Sequence, residues 1–202
     1  MKNVIVIATW SSGSTAMTGY LDKCGGYTCP PHVKTRDERT PIAYEPKAYR
    51  DALADLFDEF TLQRKGEPAA FYKAFDAWYA KEVRQAKAEG CTHIVLKHPL
   101  QTLALPYLDR KLSPYYVFVT RPLEDIEQTR MRRRIHSIYG KKGAKLLYLN
   151  TFNYLVAEAK PFIAVPFPRF RRDEGFRTKV LDFIELDPAE DQLNAAEDFL
   201  VN

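Results

Sequence analysis

Residues Val4 to Ala8 form a continuous apolar run, mostly β-branched, which predicts a strand buried on both faces in the middle of a parallel sheet. Small and polar residues from Trp10 to Ser14 break that run. Met17, Tyr20, Leu21 and Cys24 then recur at helical spacing before the Gly25-Gly26 stop, so the loop joins a strand to a helix. From Cys29 to Pro46 the chain is polar, Pro-containing and without clear periodicity. It is the longest irregular connection and a candidate lid over a substrate site. Two amphipathic helices follow, one marked by Tyr49, Leu53, Leu56, Phe57 and Phe60, the other by Phe71, Phe75, Trp78, Tyr79, Val83 and Ala86. Together they make residues 47–90 a helical insertion whose aromatic rings read as core.

Gly90 ends the second helix, and His93 to Lys97 reads as another buried strand running into a Pro-punctuated turn and a short helix. Tyr115 to Thr120 is the next strand. Its following helix starts at Pro122 as first residue, with Glu124 and Asp125 suited to the first turn. Further helices are predicted over Ala144 to Ala159, Phe176 to Ile184 and Gln192 to Leu200, and a last strand over Phe162 to Val165. Strands alternating with helices predict an α/β fold, a parallel central sheet flanked by helices, in one domain over residues 1–202.

Composition narrows the function classes. The chain has 202 residues with 46% hydrophobic content, enough for one substantial core and too apolar for disorder. A net charge of +4 is too small for a general nucleic-acid binder. The positive charge is concentrated in three runs, however: Arg130, Arg132, Arg133 and Arg134; Lys141, Lys142 and Lys145; Arg169, Arg171 and Arg172. That leaves a non-catalytic polyanion- or RNA-binding domain as an alternative. Cys24, Cys29 and Cys91 match neither a disulfide framework nor a zinc site, and the first apolar run is too short for a signal peptide or a membrane span. A cytoplasmic protein without nucleic acid or membrane span is expected.

The loop Trp10-Ser11-Ser12-Gly13-Ser14-Thr15 carries the first candidate chemistry. Gly13 permits close backbone approach, the hydroxyls add donors, and the first free N–H groups of the helix favour an anion. By itself the loop reads equally well as a connection in which Ser14 or Thr15 caps the helix. A P-loop kinase or GTPase would need a Lys after the glycine, which this chain lacks.

The stretch SGSTAMTGYLDKCGG resembles the 5′-phosphosulfate loop and first helix of bacterial sulfotransferases, with Ser12, Gly13, Ser14 and Thr15 matching in turn. YYVFVTRPLEDIEQT is similar to the family's Arg-and-Ser pattern for a 3′-phosphate, Thr129 replacing the serine eight residues after Arg121. Thr92 to Pro106 resembles the segment that ends a strand with the family lysine, matched by Lys97; His98 stands where many bacterial members carry Asp, one residue short of the catalytic histidine of the cytosolic branch. The resemblance implies a P-loop-NTPase-like three-layer architecture and transfer of a sulfuryl group from 3′-phosphoadenosine 5′-phosphosulfate (PAPS) without a metal. The acceptor would be a hydroxyl or amine of a small molecule or carbohydrate, and the product adenosine 3′,5′-bisphosphate. It further implies a cofactor site from Ser11, Ser12, Gly13, Ser14, Thr15, Ala16, Arg121 and Thr129. Lys97 and His98 would be catalytic, with His98 the base, and Glu45 and Tyr49 would line the acceptor entrance. One departure stands out: the family's Lys or Arg before Ser-Gly is Ser11 here, so Lys97 or one of Arg130 to Arg134 would have to supply the charge.

Overall fold

In a computed structural model describing residues 1–35, 37–38 and 40–201, the predicted strands form one parallel sheet. Residues 36 and 39, within the predicted lid, and residue 202 lie outside the described residues. In chain order the strands are β1 (Lys2–Ile7), β2 (His32–Lys34), β3 (Ile42–Pro46), β4 (His93–Lys97), β5 (Tyr115–Thr120) and β6 (Phe162–Pro166). The sheet order is β4-β1-β5-β6, so β1 is interior, as its unbroken apolar run predicts. From β1 the chain crosses to β4 on one side and then returns to β5 on the other. The crevice at the carboxyl end of β1 is therefore a topological switch point, the usual place for a ligand in such sheets.

Strand alternation divides the core in two. Val4, Val6 and Ala8 point to one face, where α1 (Ser14–Lys23) contributes Met17, Tyr20 and Leu21. Phe176, Val180 and Ile184 of α8 (Glu174–Ile184) and Ala196 of α9 (Glu190–Val201) complete that layer. Ile5 and Ile7 point to the other face, against Tyr49 and Leu53 of α2 (Lys47–Leu56) and Phe71 and Phe75 of α3 (Pro68–Ala88). Leu105 and Leu108 of α4 (Leu105–Leu112) and Leu155 of α6 (Lys141–Ala157) join them. The rings of α2 and α3 are core, as predicted: Tyr49 stacks on Trp78 at 5.3 Å, and Phe75 on Tyr79 at 5.4 Å.

Three expectations need correction. The helix predicted to reach Phe60 stops at Leu56, because Phe57 pairs with Arg64 in an isolated bridge, and Phe60 is exposed. Pro122 precedes α5 (Leu123–Arg133) in extended conformation instead of opening it. The stretch read as irregular holds an antiparallel hairpin, β2 with β3. Its strands are too short, and too interrupted by polar residues, to register as period-2 alternation. At the outer side of β4, Tyr27 adds a single parallel bridge to Ile94, its N–H donating to His93 O at 2.9 Å and its carbonyl accepting from Val95 N at 2.9 Å. Among the described residues no helix is long and apolar enough to cross a membrane.

Candidate functional site

After β1 the backbone turns sharply. Ser11 takes φ 62° and Gly13 φ 96°, and the Ser12 hydroxyl donates to Thr9 O at 2.8 Å inside the turn. The N–H groups of Ala16 and Met17 return to Gly13 O, so those ahead of them at the start of α1 have no intrahelical acceptor. Ser14 and Thr15 line the resulting cleft, whereas Ser12 is wholly buried, its hydroxyl already engaged. A side chain on Gly13 would need the left-handed region and would place its Cβ 2.3 Å from the Phe167 ring. Gly13→Ala is therefore expected to cost about 1–2 kcal/mol from backbone strain alone, with displacement of Phe167 in addition. Thermal melting measures it, and an unchanged transition would contradict this geometry.

Lys97 closes the other side of the loop. Its buried ammonium donates to Glu45 Oε1 at 2.7 Å, Ala43 O at 2.9 Å and Thr15 Oγ1 at 3.4 Å, tying β4 to β3 and to the first turn of α1. Burial pushes the Glu45 carboxyl upward, but the attraction of Lys97, His98 and Arg50 prevails and holds it below the ordinary carboxylate range. Its side chain is 14% exposed and lines the cleft.

His98 is placed differently from the expectation of a base. It is buried, and its Nδ1 accepts the Leu100 N–H at 3.2 Å, capping the short 3-10 turn Pro99–Leu103. Burial lowers its pKa to about 4 against the opposing pull of Glu45, so the ring is neutral near pH 7 and carries its one proton on Nε2. Nε2 lies 3.8 Å from Glu45 Oε2. With one nitrogen accepting and the other protonated, neither can take a proton from the cleft. The folded-state pKa is depressed, so the unfolded chain binds a proton first as pH falls. Stability is then expected to fall between about pH 6.5 and 4, by on the order of 3 kcal/mol. His98→Asn should flatten that part of a denaturation-versus-pH curve; the same slope in the variant would assign it elsewhere.

Tyr49 also departs from expectation. It is fully buried, its hydroxyl donating to Gln101 Oε1 at 3.1 Å, and it packs in the core instead of lining an entrance. Across the cleft, Arg121 Nη1 donates to Ser11 O at 3.1 Å and the guanidinium lies 5.6 Å from the centre of the Phe167 ring. Thr129 lines the cleft with its hydroxyl donating to Asp125 O at 2.9 Å. Of the arginine run, Arg130 is held by Glu127 at 2.6 Å, while Arg132 and Arg133 reach Asp37 at 3.0 and 2.8 Å. Asp37 thereby fastens the β2–β3 connection to the end of α5.

The cleft has a volume of about 1150 Å³, with a smaller recess of about 460 Å³ beside Arg121, Phe167, Arg171 and Arg172. It brings together Ser11, Gly13, Ser14, Thr15, Ala16, Glu45, Lys97, Arg121 and Thr129; His98, Ser12 and Tyr49 stand behind its wall. Sequence reasoning missed Phe167 and Asp37. Phe167 follows β6 at the carboxyl edge of the sheet, a position that marks any residue as a candidate. Asp37 gave no signal, because the hairpin that presents it was itself unread.

No family profile matches this chain, and neither does any protein of curated function. Among solved structures, the sulfotransferase STF9 from Mycobacterium avium is similar over 99% of this chain and 68% of its own, with a TM-score of 0.53 and 13% sequence identity. The fold is that of a sulfotransferase-like α/β protein.

Proposed function

We propose that this protein is a sulfotransferase that uses PAPS and sulfates a hydroxyl or amine of a small-molecule or carbohydrate acceptor. The observation that carries the reading is convergence. The Ser-Gly loop, the end of β4 and the end of β5 lie far apart in sequence, and all three border one cleft at the switch point of the sheet.

The residues present suit such a cofactor. Ser11 Oγ and Arg121 Nε are buried without a hydrogen-bond partner among the described residues, two polar groups for a ligand to satisfy. Free N–H groups at the start of α1 favour an anion, and Arg121 and Thr129 add a guanidinium and a hydroxyl. PAPS, when bound, supplies the sulfuryl group and leaves as adenosine 3′,5′-bisphosphate. Ser14, Thr15 and the helix start would hold its 5′ end. Glu45, ionised and facing the cleft, would accept the acceptor proton at Oε2, while Lys97 fixes the carboxylate through Oε1 and spans to Thr15.

The kinase reading lacks the loop lysine. The basic runs are partly neutralised: Arg130 by Glu127, Lys141 by Glu124 at 2.5 Å and Arg169 by Asp173 at 2.9 Å, so the polyanion reading gains no support. Calorimetry with adenosine 3′,5′-bisphosphate, ADP and ATP separates the classes. Metal-independent, saturable binding of the bisphosphate in preference to ADP and ATP is expected. Magnesium-dependent preference for ATP, or binding that only tracks salt concentration, would reject the proposal.

A further inference from the structure

Ser11 occupies the position where the loop pattern carries a cation, yet the structure does not leave that position uncharged. Arg121 leaves the end of β5, the strand beside β1, and its Nη1 donates to the carbonyl of Ser11 itself at 3.1 Å. The Phe167 ring that lies 5.6 Å from this guanidinium is the ring packed against Gly13, so loop, ring and cation form one cluster. Asp125 Oδ2, 3.8 Å from Nε, holds the guanidinium from the other side. Nε has no hydrogen-bond partner among the described residues and remains a donor. Of the other candidate cations, Lys97 is engaged with Glu45, Arg130 with Glu127, and Arg132 and Arg133 with Asp37, while Arg134 is exposed at the end of α5 and does not line the cleft.

We propose that Arg121 stands in for the missing loop cation and serves the 5′ end of the nucleotide, instead of the 3′-phosphate that the resemblance gives to it. The inference rests on the PAPS reading above. A guanidinium fixed on the carbonyl of Ser11 borders the same cleft as Ser14 and Thr15 at the start of α1, where an anion held by the loop would sit. Its charge would then meet the phosphate whose bond is broken, where a preorganised donor lowers the barrier most. A guanidinium from the neighbouring strand thus does from the side what a lysine at residue 11 would do from within the loop.

Two nucleotides that differ only in the 3′-phosphate test this. Adenosine 5′-phosphate and adenosine 3′,5′-bisphosphate are titrated into the wild type, Arg121→Ala and the double variant Ser11→Lys/Arg121→Ala. The expected result is that Arg121→Ala weakens both by a similar factor, roughly 10- to 100-fold for loss of a charged hydrogen bond. The ratio of the two affinities stays constant, and Ser11→Lys restores at least about tenfold to both. If Arg121→Ala weakens only the bisphosphate, Arg121 serves the 3′-phosphate and the inference is overturned while the PAPS reading survives. An equal loss without recovery by Ser11→Lys overturns the substitution of one cation for the other. If neither nucleotide binds the wild type, both readings fall. Should Arg121→Ala lose its cooperative melting transition, Arg121→Gln takes its place in the same comparison.

Discussion

Glu45→Gln is expected to lower the turnover number by about 10²- to 10⁴-fold, the usual contribution of a positioned general base, while adenosine 3′,5′-bisphosphate binds within a few-fold of its wild-type affinity. Glutamine keeps the shape of the side chain and an oxygen for the Lys97 ammonium, and removes the basic lone pair at the cleft. His98→Asn is the informative partner. With Nδ1 bonded to the Leu100 N–H and Nε2 protonated beside Glu45, His98 positions and fills, so its replacement should affect melting and acid sensitivity more than turnover. Transfer of label from PAPS to a panel of phenols, alcohols, amines and saccharides measures both variants. If His98→Asn abolishes transfer while Glu45→Gln retains it, the proton moves to the histidine after all and the assignment made from the hydrogen bonds is wrong.

Lys97→Met is expected to have the largest effect on stability. The ammonium is 4% exposed and holds the carboxylate of a Glu45 that is itself only 14% exposed. Removing one partner of such a pair typically costs about 3–5 kcal/mol, because the remaining charge is left desolvated. At about 2–4 °C per kcal/mol for a chain of this size, the melting temperature should fall by about 6–20 °C. The double variant Lys97→Met/Glu45→Gln should recover most of that loss, since no buried charge remains unpaired. Differential scanning calorimetry decides the matter, and a double variant as unstable as the single one would show that Lys97 acts through packing of its stem.

The sheet could be read from sequence because its signal is local. β4 and β5 match their predicted bounds, since a strand buried on both faces announces itself as an unbroken apolar run. The loop and its neighbours were legible for a related reason: a glycine, small hydroxyls and a helix start carry their chemistry in adjacent residues. What stayed illegible depends on contacts across the chain. Nothing near Lys97 in sequence reveals that it meets Glu45, some fifty residues earlier, or that Leu100 takes the lone pair of His98 from two residues away. Tyr49 was misplaced because the amphipathic pattern of α2 gives a buried face without saying what lies beneath it. Arg121 was legible at the end of β5, but its contact with the carbonyl of Ser11, 110 residues earlier, is set by the fold alone.

The two borders of the parallel sheet face opposite hazards of self-association. Beyond β4, Tyr27 already occupies hydrogen-bonding positions that a strand from another molecule would need. Among the described residues β6 has no neighbouring strand on its outer side, and its sequence Phe-Ile-Ala-Val is the kind that templates intermolecular pairing. It is bracketed by Pro161 and Pro166, which offer no N–H to an incoming strand. The chain thus guards one edge with a tyrosine bridge and the other with prolines, and replacing both prolines by residues that can donate should raise the turbidity of a refolding solution above that of the parent chain.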